Sequence, residues 1–262
     1  MVASILTVGL LALGASNQQA ATAATEALPV STTIPIVFTK AIDANKAHVG
    51  DLVNARTSQV VILGKGHVLP AGSQVIGHVV QGSGFTYDRT PYAKQKASSL
   101  AIHFDSIVDH GEKLPLSVYV RAIADPITTW DATKPKASDL DPDSTTTQVG
   151  GDLVTPSQSE VISPSEEVVG YQRRSGVYAH LIPASGNSPE GCDGSETEQS
   201  MGVFSASACG LYGFADTTLT QSGRKSDVGT LVLESRRRAP KIYANSSALL
   251  EVTEPDHNVA SR

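Results

Sequence analysis

The stretch "SLAIHFDSI", residues 99–107, alternates between apolar and polar side chains. Its large apolar residues fall on one face of an extended chain: Leu100, Ile102 and Phe104. His103 and Asp105 fall on the opposite face. A period of two residues is typical of a β-strand with one face in a core and the other toward water. The stretch therefore predicts a half-buried strand.

The segments around this strand repeat its pattern. "IPIVFTKAI" starts at Ile34, "DLVNARTSQVVIL" at Asp51 and "LPLSVYVRAI" at Leu114, and turn-forming residues separate them. Residues 109–112, "DHGE", predict a tight turn before the last of these. Short strands at this spacing favour a barrel or a sandwich. We therefore expect an all-β protein, a single barrel or sandwich of short antiparallel strands.

The stretch "GHVLPAGSQVIGHVV", residues 66–80, combines a turn with a strand. Pro70 and Gly72 predict a tight turn, and Gly77 predicts a close backbone approach or a bend in a curved sheet. Ser73 follows a glycine, but Val75 stands where a G-x-S-x-G nucleophile elbow needs its second glycine. We interpret Ser73 as a turn residue whose hydroxyl bonds the local backbone.

Composition limits the class of protein. The 262 residues are 40% hydrophobic, 18% charged and only 5% aromatic, with 22 Gly and 14 Pro, which favours strands joined by turns over a helical bundle. The net charge of -6 argues against nucleic-acid binding, which needs clustered positive charge. Residues 236–238, "RRR", are the one dense basic run, and we interpret them as a solvated strand end.

The N-terminal residues predict export. Residues 1–25 contain an apolar run from Ile5 to Leu13, followed by small residues with Ala-x-Ala patterns. The run is short for a membrane-spanning helix and resembles the hydrophobic region and cleavage zone of a signal peptide. We expect a periplasmic or secreted protein with no transmembrane span in the mature chain. In that setting Cys192 and Cys209, the two cysteines, predict a disulfide, with free thiols as the alternative.

The remaining chain divides by composition. Residues 34–124 form the first part of the predicted β domain, and residues 201–254 carry strands that complete it. Residues 125–200 are rich in Ser, Thr, Pro and Asp, and we expect a largely disordered insertion there. The tail, residues 255–262, is expected to be loose.

The chain shows no established catalytic or metal-binding motif. Its seven histidines do not form H-x-H or H-E-x-x-H pairs. His78, His103 and Asp105 are weak metal candidates, because His103 and Asp105 share one strand face. A solvated polar face is the favoured interpretation, and we predict no cofactor and no catalytic residues.

The order "GDLVNART…VLPAGSQVIGHVV…LAIHFDSI…GEKLPLSVYV" resembles the C-terminal barrel of TrbI-type conjugal-transfer proteins, components of the outer-membrane complex of type IV secretion systems. The resemblance covers about residues 36–123, and its positions are mostly turn residues: Gly50, Pro70, Gly72, Ser73, Gly77 and Gly111. It implies a β-barrel of the cell envelope that assembles with partners and has no catalytic site.

These observations predict an exported, non-enzymatic β-barrel protein of the cell envelope. We expect it to act by binding an envelope protein or by self-assembly, with a possible link to secretion or conjugation. One alternative is an exported hydrolase or metal-dependent enzyme that uses His78, His103 and Asp105. Another is a protein that binds a small ligand inside the barrel.

Overall fold

The structure, a computed structural model, describes residues 28–64, 67–133, 200–204, 208–220 and 229–254, and the backbone of short strands between 147 and 177. The segments 1–25 and 255–262 and most of 125–200 lie outside the described residues.

The described residues before 125 contain nine strands. They are β1 (Thr33–Phe38), β2 (Ile42–Asp43), β3 (Leu52–Thr57), β4 (Val61–Gly64), β5 (His67–Leu69), β6 (Gln74–Ser83), β7 (Ser98–Asp109), β8 (Glu112–Pro115) and β9 (Val118–Ala124). A 3-10 turn, Tyr92–Lys94, lies between β6 and β7. The helix α1 (Pro126–Thr133) follows, at the start of a segment whose composition did not predict a helix.

The part of the chain that is described after α1 contains ten strands. They are β10 (Thr147–Val149), β11 (Asp152–Val154), β12 (Glu160–Ile162), β13 (Val168–Arg173), β14 (Gly176–Val177), β15 (Gly210–Tyr212), β16 (Thr218–Thr220), β17 (Thr230–Ser235), β18 (Lys241–Ile242) and β19 (Ser247–Val252). Strands β10 to β14 pair only with one another, in two small sheets.

The main sheet has ten strands and is nearly closed into a barrel. Its order is β15-β9-β19-β1-β3-β6-β7-β17-β16, and β8 pairs with β7 outside that path. The pairs are antiparallel except β15 with β9, which is parallel. Near the junction of the two ends, the Gly229 N–H donates to the Val118 carbonyl of β9. The all-β class predicted from the sequence is confirmed, and β15, β16, β17 and β19 belong to the same sheet as β1, β3 and β6 to β9.

The barrel interior is filled by the apolar face of each strand. Ile34, Ile36 and Phe38 of β1 are fully buried, as are Leu100, Ile102 and Phe104 of β7. The rings of Phe38 and Phe104 lie 6.4 Å apart between centroids. Burying a side chain of this size contributes about 1.5–3 kcal/mol, so these strands carry much of the stability of the fold.

A second, smaller core lies on the outer face of β9 and β19. It consists of small and aromatic residues from several elements: Ala122, Ala124, Ala132, Met201, Phe204, Ala208, Tyr212 and Leu249. The chain at residue 200 is tied to the barrel wall, since Thr33 Oγ1 donates to the Ser200 carbonyl at 3.0 Å. One side of the barrel therefore has an added outer layer. Among the described residues, no helix is long and apolar enough to cross a membrane.

Candidate functional site

Strands β6 and β7 bring His78, His103 and Asp105 together on the outer wall of the barrel. His78 and His103 are direct cross-strand partners, and their rings lie 5.6 Å apart between centroids. Asp105 Oδ2 lies 2.9 Å from His78 Nδ1, and Asp105 Oδ1 lies 3.9 Å from His103 Nε2. We call these three residues the imidazole–carboxylate cluster. Their side chains remain 35–37% exposed.

A β-bulge places Asp105 in this cluster. The pairing of β6 with β7 runs from Ile76 opposite Ser106 to Gly77 opposite Phe104, so Asp105 is the extra residue of β7. At Gly77 the two backbones approach so closely that a Cβ would lie under 3.0 Å from the His103 carbonyl oxygen. Only glycine permits this approach without displacement of a strand.

The neighbouring strand β17 completes the surroundings of His103. Thr230 is the cross-strand partner of His103, and Thr230 Oγ1 lies 3.4 Å from His103 Nδ1. The imidazole also lies over Gly229, where a Cβ would overlap the ring. Gly229 adopts φ +81°, a left-handed conformation that also favours glycine.

His78 has a shorter polar contact within the cluster than His103 has. When His78 carries its proton on Nδ1, that N–H donates to Asp105 and leaves Nε2 with a lone pair. His103 has the longer contacts, at 3.4 Å and 3.9 Å. Such a pair can accept a proton or ligate a metal. Within the described ranges, however, no group of three or more His, Cys, Asp or Glu side chains is arranged to hold a metal ion.

A shallow groove lies beside the cluster. Its volume is about 330 Å³, and its lining combines apolar and charged residues: Ala41, Ile42, Asp43, Lys46, Ala47, Asp51, Leu52 and Val79. Leu52 is the cross-strand partner of His78 and is 74% exposed. Val49 nearby in sequence is also largely exposed. The outer wall here presents apolar, imidazole and carboxylate groups side by side.

The other described histidines also lie next to aspartates. His67 and His110 both approach Asp109, at 3.7 Å and 2.6 Å. His48 lies 3.7 Å from Asp51. His110 has φ +45° and Gly111 φ +91°, as a tight two-residue hairpin turn between β7 and β8 requires.

The turn at residues 70–73 is held by local hydrogen bonds. Gly72 adopts φ +86°, and the Ser73 hydroxyl donates to the Pro70 carbonyl at 2.8 Å. Thr57 Oγ1 donates to the same carbonyl and accepts from the Ser73 N–H. These contacts tie the turn to the end of β3.

Of the two cysteines, Cys209 is buried and Cys192 lies outside the described residues.

A second polar cluster, not predicted from the sequence, lies beside the outer layer. Arg121 Nη1 of β9 lies 3.4 Å from Glu251 Oε2 of β19, and the Tyr119 hydroxyl donates to the same oxygen at 2.6 Å. Arg121 is only 2% exposed. The available signal was a charged residue inside the apolar run "VYVRAIA". We call Tyr119, Arg121 and Glu251 the buried ion-pair cluster.

Tyr212 lies in the outer layer near this cluster. Its hydroxyl accepts a hydrogen bond from the Cys209 N–H at 2.9 Å. Burial raises the pKa of Tyr212 to about 12, although that hydrogen bond and the positive charge of Arg121 both act to lower it. The phenol is therefore neutral in the folded protein at ordinary pH.

Comparison with protein-family models, with curated proteins and with solved structures finds no match to this chain.

Proposed function

We propose that this chain is an exported, non-enzymatic β-barrel protein of the cell envelope that acts through binding or assembly on its outer wall. The observation that carries the proposal is the combination of exposed Leu52 with the half-exposed imidazole–carboxylate cluster beside a shallow groove. Apolar and polar groups placed together on a surface suit recognition of another protein. A site whose side chains are 35–37% exposed offers a substrate little exclusion from water.

The filled interior supports an outer binding surface over an inner one. Large apolar side chains from β1, β7, β9, β17 and β19 occupy the described barrel, and the largest of them are fully buried. A ligand inside would have to displace Phe38 or Phe104, which pack against each other. Removing such a side chain from a packed core costs about 3–5 kcal/mol.

Three finer parts of the proposal come from the sequence. Residues 1–25 are proposed to be a signal peptide, which would send the chain to the periplasm or beyond the cell. Cys192 and Cys209 are proposed to form a disulfide there. The likeness of residues 36–123 to the TrbI-type barrel supports assembly with secretion- or conjugation-related partners, and it is the reason for proposing the envelope.

The test is fractionation of bacteria that express the full chain. We expect a processed protein in the periplasmic or envelope fraction, ring-shaped or other oligomers after purification, and a Cys192–Cys209 peptide in a non-reducing digest. Leu52→Glu should abolish assembly without changing the urea midpoint. Val30→Glu, at another exposed aliphatic residue, is the matched control. A strictly monomeric protein that stays in the cytoplasm would overturn the proposal.

A second candidate function is an exported hydrolase or metal-dependent enzyme. It is favoured by one observation, the meeting of His78, Asp105, His103 and Thr230 on adjacent strands. Metal analysis of the purified chain separates the two functions. A stoichiometric metal that His78→Ala and His103→Ala each remove would support the enzyme and contradict the binding protein.

A further inference from the structure

Arginine side chains of residues 236–238 contact residues 92–95 on the outside of the barrel. Arg236 Nη1 donates to the Gln95 carbonyl at 3.0 Å, and the Arg237 guanidinium lies 4.5 Å from the centroid of the Tyr92 ring. These contacts bring residues 236–238 against residues 92–96. We call the five basic residues of the two segments the basic patch: Lys94, Lys96, Arg236, Arg237 and Arg238.

The backbone of residues 236–238 is held by serine hydroxyls. Ser235 Oγ accepts from the N–H of Arg237 at 3.2 Å and from the N–H of Arg238 at 3.3 Å. Ser98 Oγ of β7 donates to the Arg238 carbonyl at 2.5 Å. The bend is therefore fixed before any ligand arrives, and little conformational entropy is left to lose there on binding.

Asp216 orients two of the guanidinium groups. Arg237 Nη1 lies 3.2 Å from Asp216 Oδ1, and Arg238 Nη2 lies 2.9 Å from Oδ2. Each arginine contacts Asp216 through one nitrogen, and a guanidinium carries five N–H donors. Both side chains remain more than half exposed, at 57% and 56%. Donors are thus preorganised and open to solvent.

The exposed residues Lys94, Lys96, Arg237 and Arg238 carry more positive charge than the single Asp216 carboxylate neutralises. Lys94 and Lys96 are exposed, and among the described residues no carboxylate lies within 4.0 Å of either ammonium group. The chain as a whole has a net charge of -6, whereas this patch is locally positive. Oriented arginines and nearby lysines are the groups that bind phosphate.

The arrangement fits a surface of phosphate groups better than a nucleic-acid strand. Binding of single-stranded nucleic acid relies on open aromatic rings on which bases stack. Tyr92, the ring within this patch, already has Arg237 over it. Lysines, arginines and a half-exposed tyrosine together are typical of proteins that bind the headgroup region of a membrane.

We propose that the basic patch holds the barrel against the phosphate groups of an anionic lipid surface. The inference rests on the proposed envelope location, since that location supplies the lipid. It assigns the patch a role that the imidazole–carboxylate cluster and the groove do not share. The protein therefore binds lipid through one part of its outer wall and its protein partner through another.

The test is co-sedimentation of the purified full chain with vesicles. We expect binding to phosphatidylcholine vesicles that contain phosphatidylglycerol, none to pure phosphatidylcholine, and loss of binding at about 1 M salt, where the Debye length is about 3 Å. The variant K94Q/K96Q should bind about 25-fold more weakly, because each basic residue near an anionic surface contributes about fivefold. K40Q/K113Q removes two exposed lysines elsewhere and should bind as the unmodified chain does.

The outcomes are distinct. Equal losses in K94Q/K96Q and K40Q/K113Q, or equal binding to both vesicle types, would overturn the proposal. Binding of a mixed-sequence single-stranded DNA more tightly than the vesicles, with loss in K94Q/K96Q, would assign the patch to nucleic acid instead. Inhibition by millimolar inorganic phosphate without vesicle binding would assign it to free phosphate. A monomeric protein that still binds the anionic vesicles would contradict assembly and leave this inference standing.

Discussion

The outer wall of the barrel carries two polar clusters that differ in their exposure to water. The imidazole–carboxylate cluster on β6 and β7 has side chains that are 35–37% exposed. The buried ion-pair cluster on β9 and β19 contains Arg121, with a side chain that is 3% exposed, and Glu251, at 10%. Both lie on strand faces that point away from the core. The outward face of a strand is therefore not the same as a solvated face.

The difference changes what each cluster contributes. Water and salt screen the exposed cluster, and measured values for exposed ion pairs are about 0.2–1 kcal/mol. The buried pair has lost most of its hydration, so each charge is stabilised by the other, and the Glu251 carboxylate also accepts from the Tyr119 hydroxyl. Proximity to the outer layer, with Met201, Phe204 and Tyr212, makes this side of the barrel a second core.

Removing one partner of the buried pair should have the largest effect. Arg121→Met leaves the Glu251 carboxylate buried without its cation, and we expect a loss of about 3–5 kcal/mol in the free energy of unfolding. Urea denaturation followed by circular dichroism measures it. The double variant R121M/E251Q removes both charges and keeps an acceptor for Tyr119, so it should recover part of that loss. A cost below about 1 kcal/mol for Arg121→Met would mean that water reaches this cluster.

Alkaline pH tests the same side of the barrel through Tyr212. Its pKa is raised to about 12 in the folded protein by burial, while an unfolded tyrosine titrates near 10. The unfolded chain therefore loses its proton first, and the stability present below pH 10 falls as the pH rises through 12. The expected loss is at most about 2–3 kcal/mol.

The measurement is the urea midpoint as a function of pH, with Tyr212→Phe as the matched control. The variant lacks the ionisable hydroxyl, so its stability should fall less steeply between pH 10 and 12. Other groups that titrate in this range contribute equally to both proteins. Parallel curves for the two proteins would show that Tyr212 is accessible to solvent.

Local sequence pattern predicted the fold class and singled out His78, His103 and Asp105, but it did not predict the register that brings these three side chains together. Leu100, Ile102 and Phe104 alternate with polar residues, and period-two alternation needs no knowledge of neighbouring strands. That Asp105 meets His78 depends on a bulge opposite Gly77, and a slip of one residue would have turned the carboxylate to the other face.

Burial of Arg121 was beyond prediction for a related reason. The strand "VYVRAIA" places Arg121 on the outer face, where the pattern favours solvent. Its ion-pair partner, Glu251, is 130 positions away, and the nearby outer layer comes from residues after 200. Periodicity within one strand does not indicate whether residues far along the chain will bury its outer face. Charged residues within apolar runs are therefore better treated as candidates for buried pairs than as solvated side chains.

The exposed cluster should show the smallest effect. Asp105→Asn removes the charge beside His78 and keeps the shape of the side chain, so we expect a loss of less than about 1 kcal/mol in the free energy of unfolding. The same urea titration measures it.

Asp109→Asn is a matched comparison, because Asp109 also contacts two histidines but its side chain is only 10% exposed. If exposure decides the effect, Asp109→Asn should lower the free energy of unfolding more than Asp105→Asn does and less than Arg121→Met does. An Asp105→Asn loss as large as that of Arg121→Met would instead show that the imidazole–carboxylate cluster supports the barrel, which would remove it as a surface free for a partner.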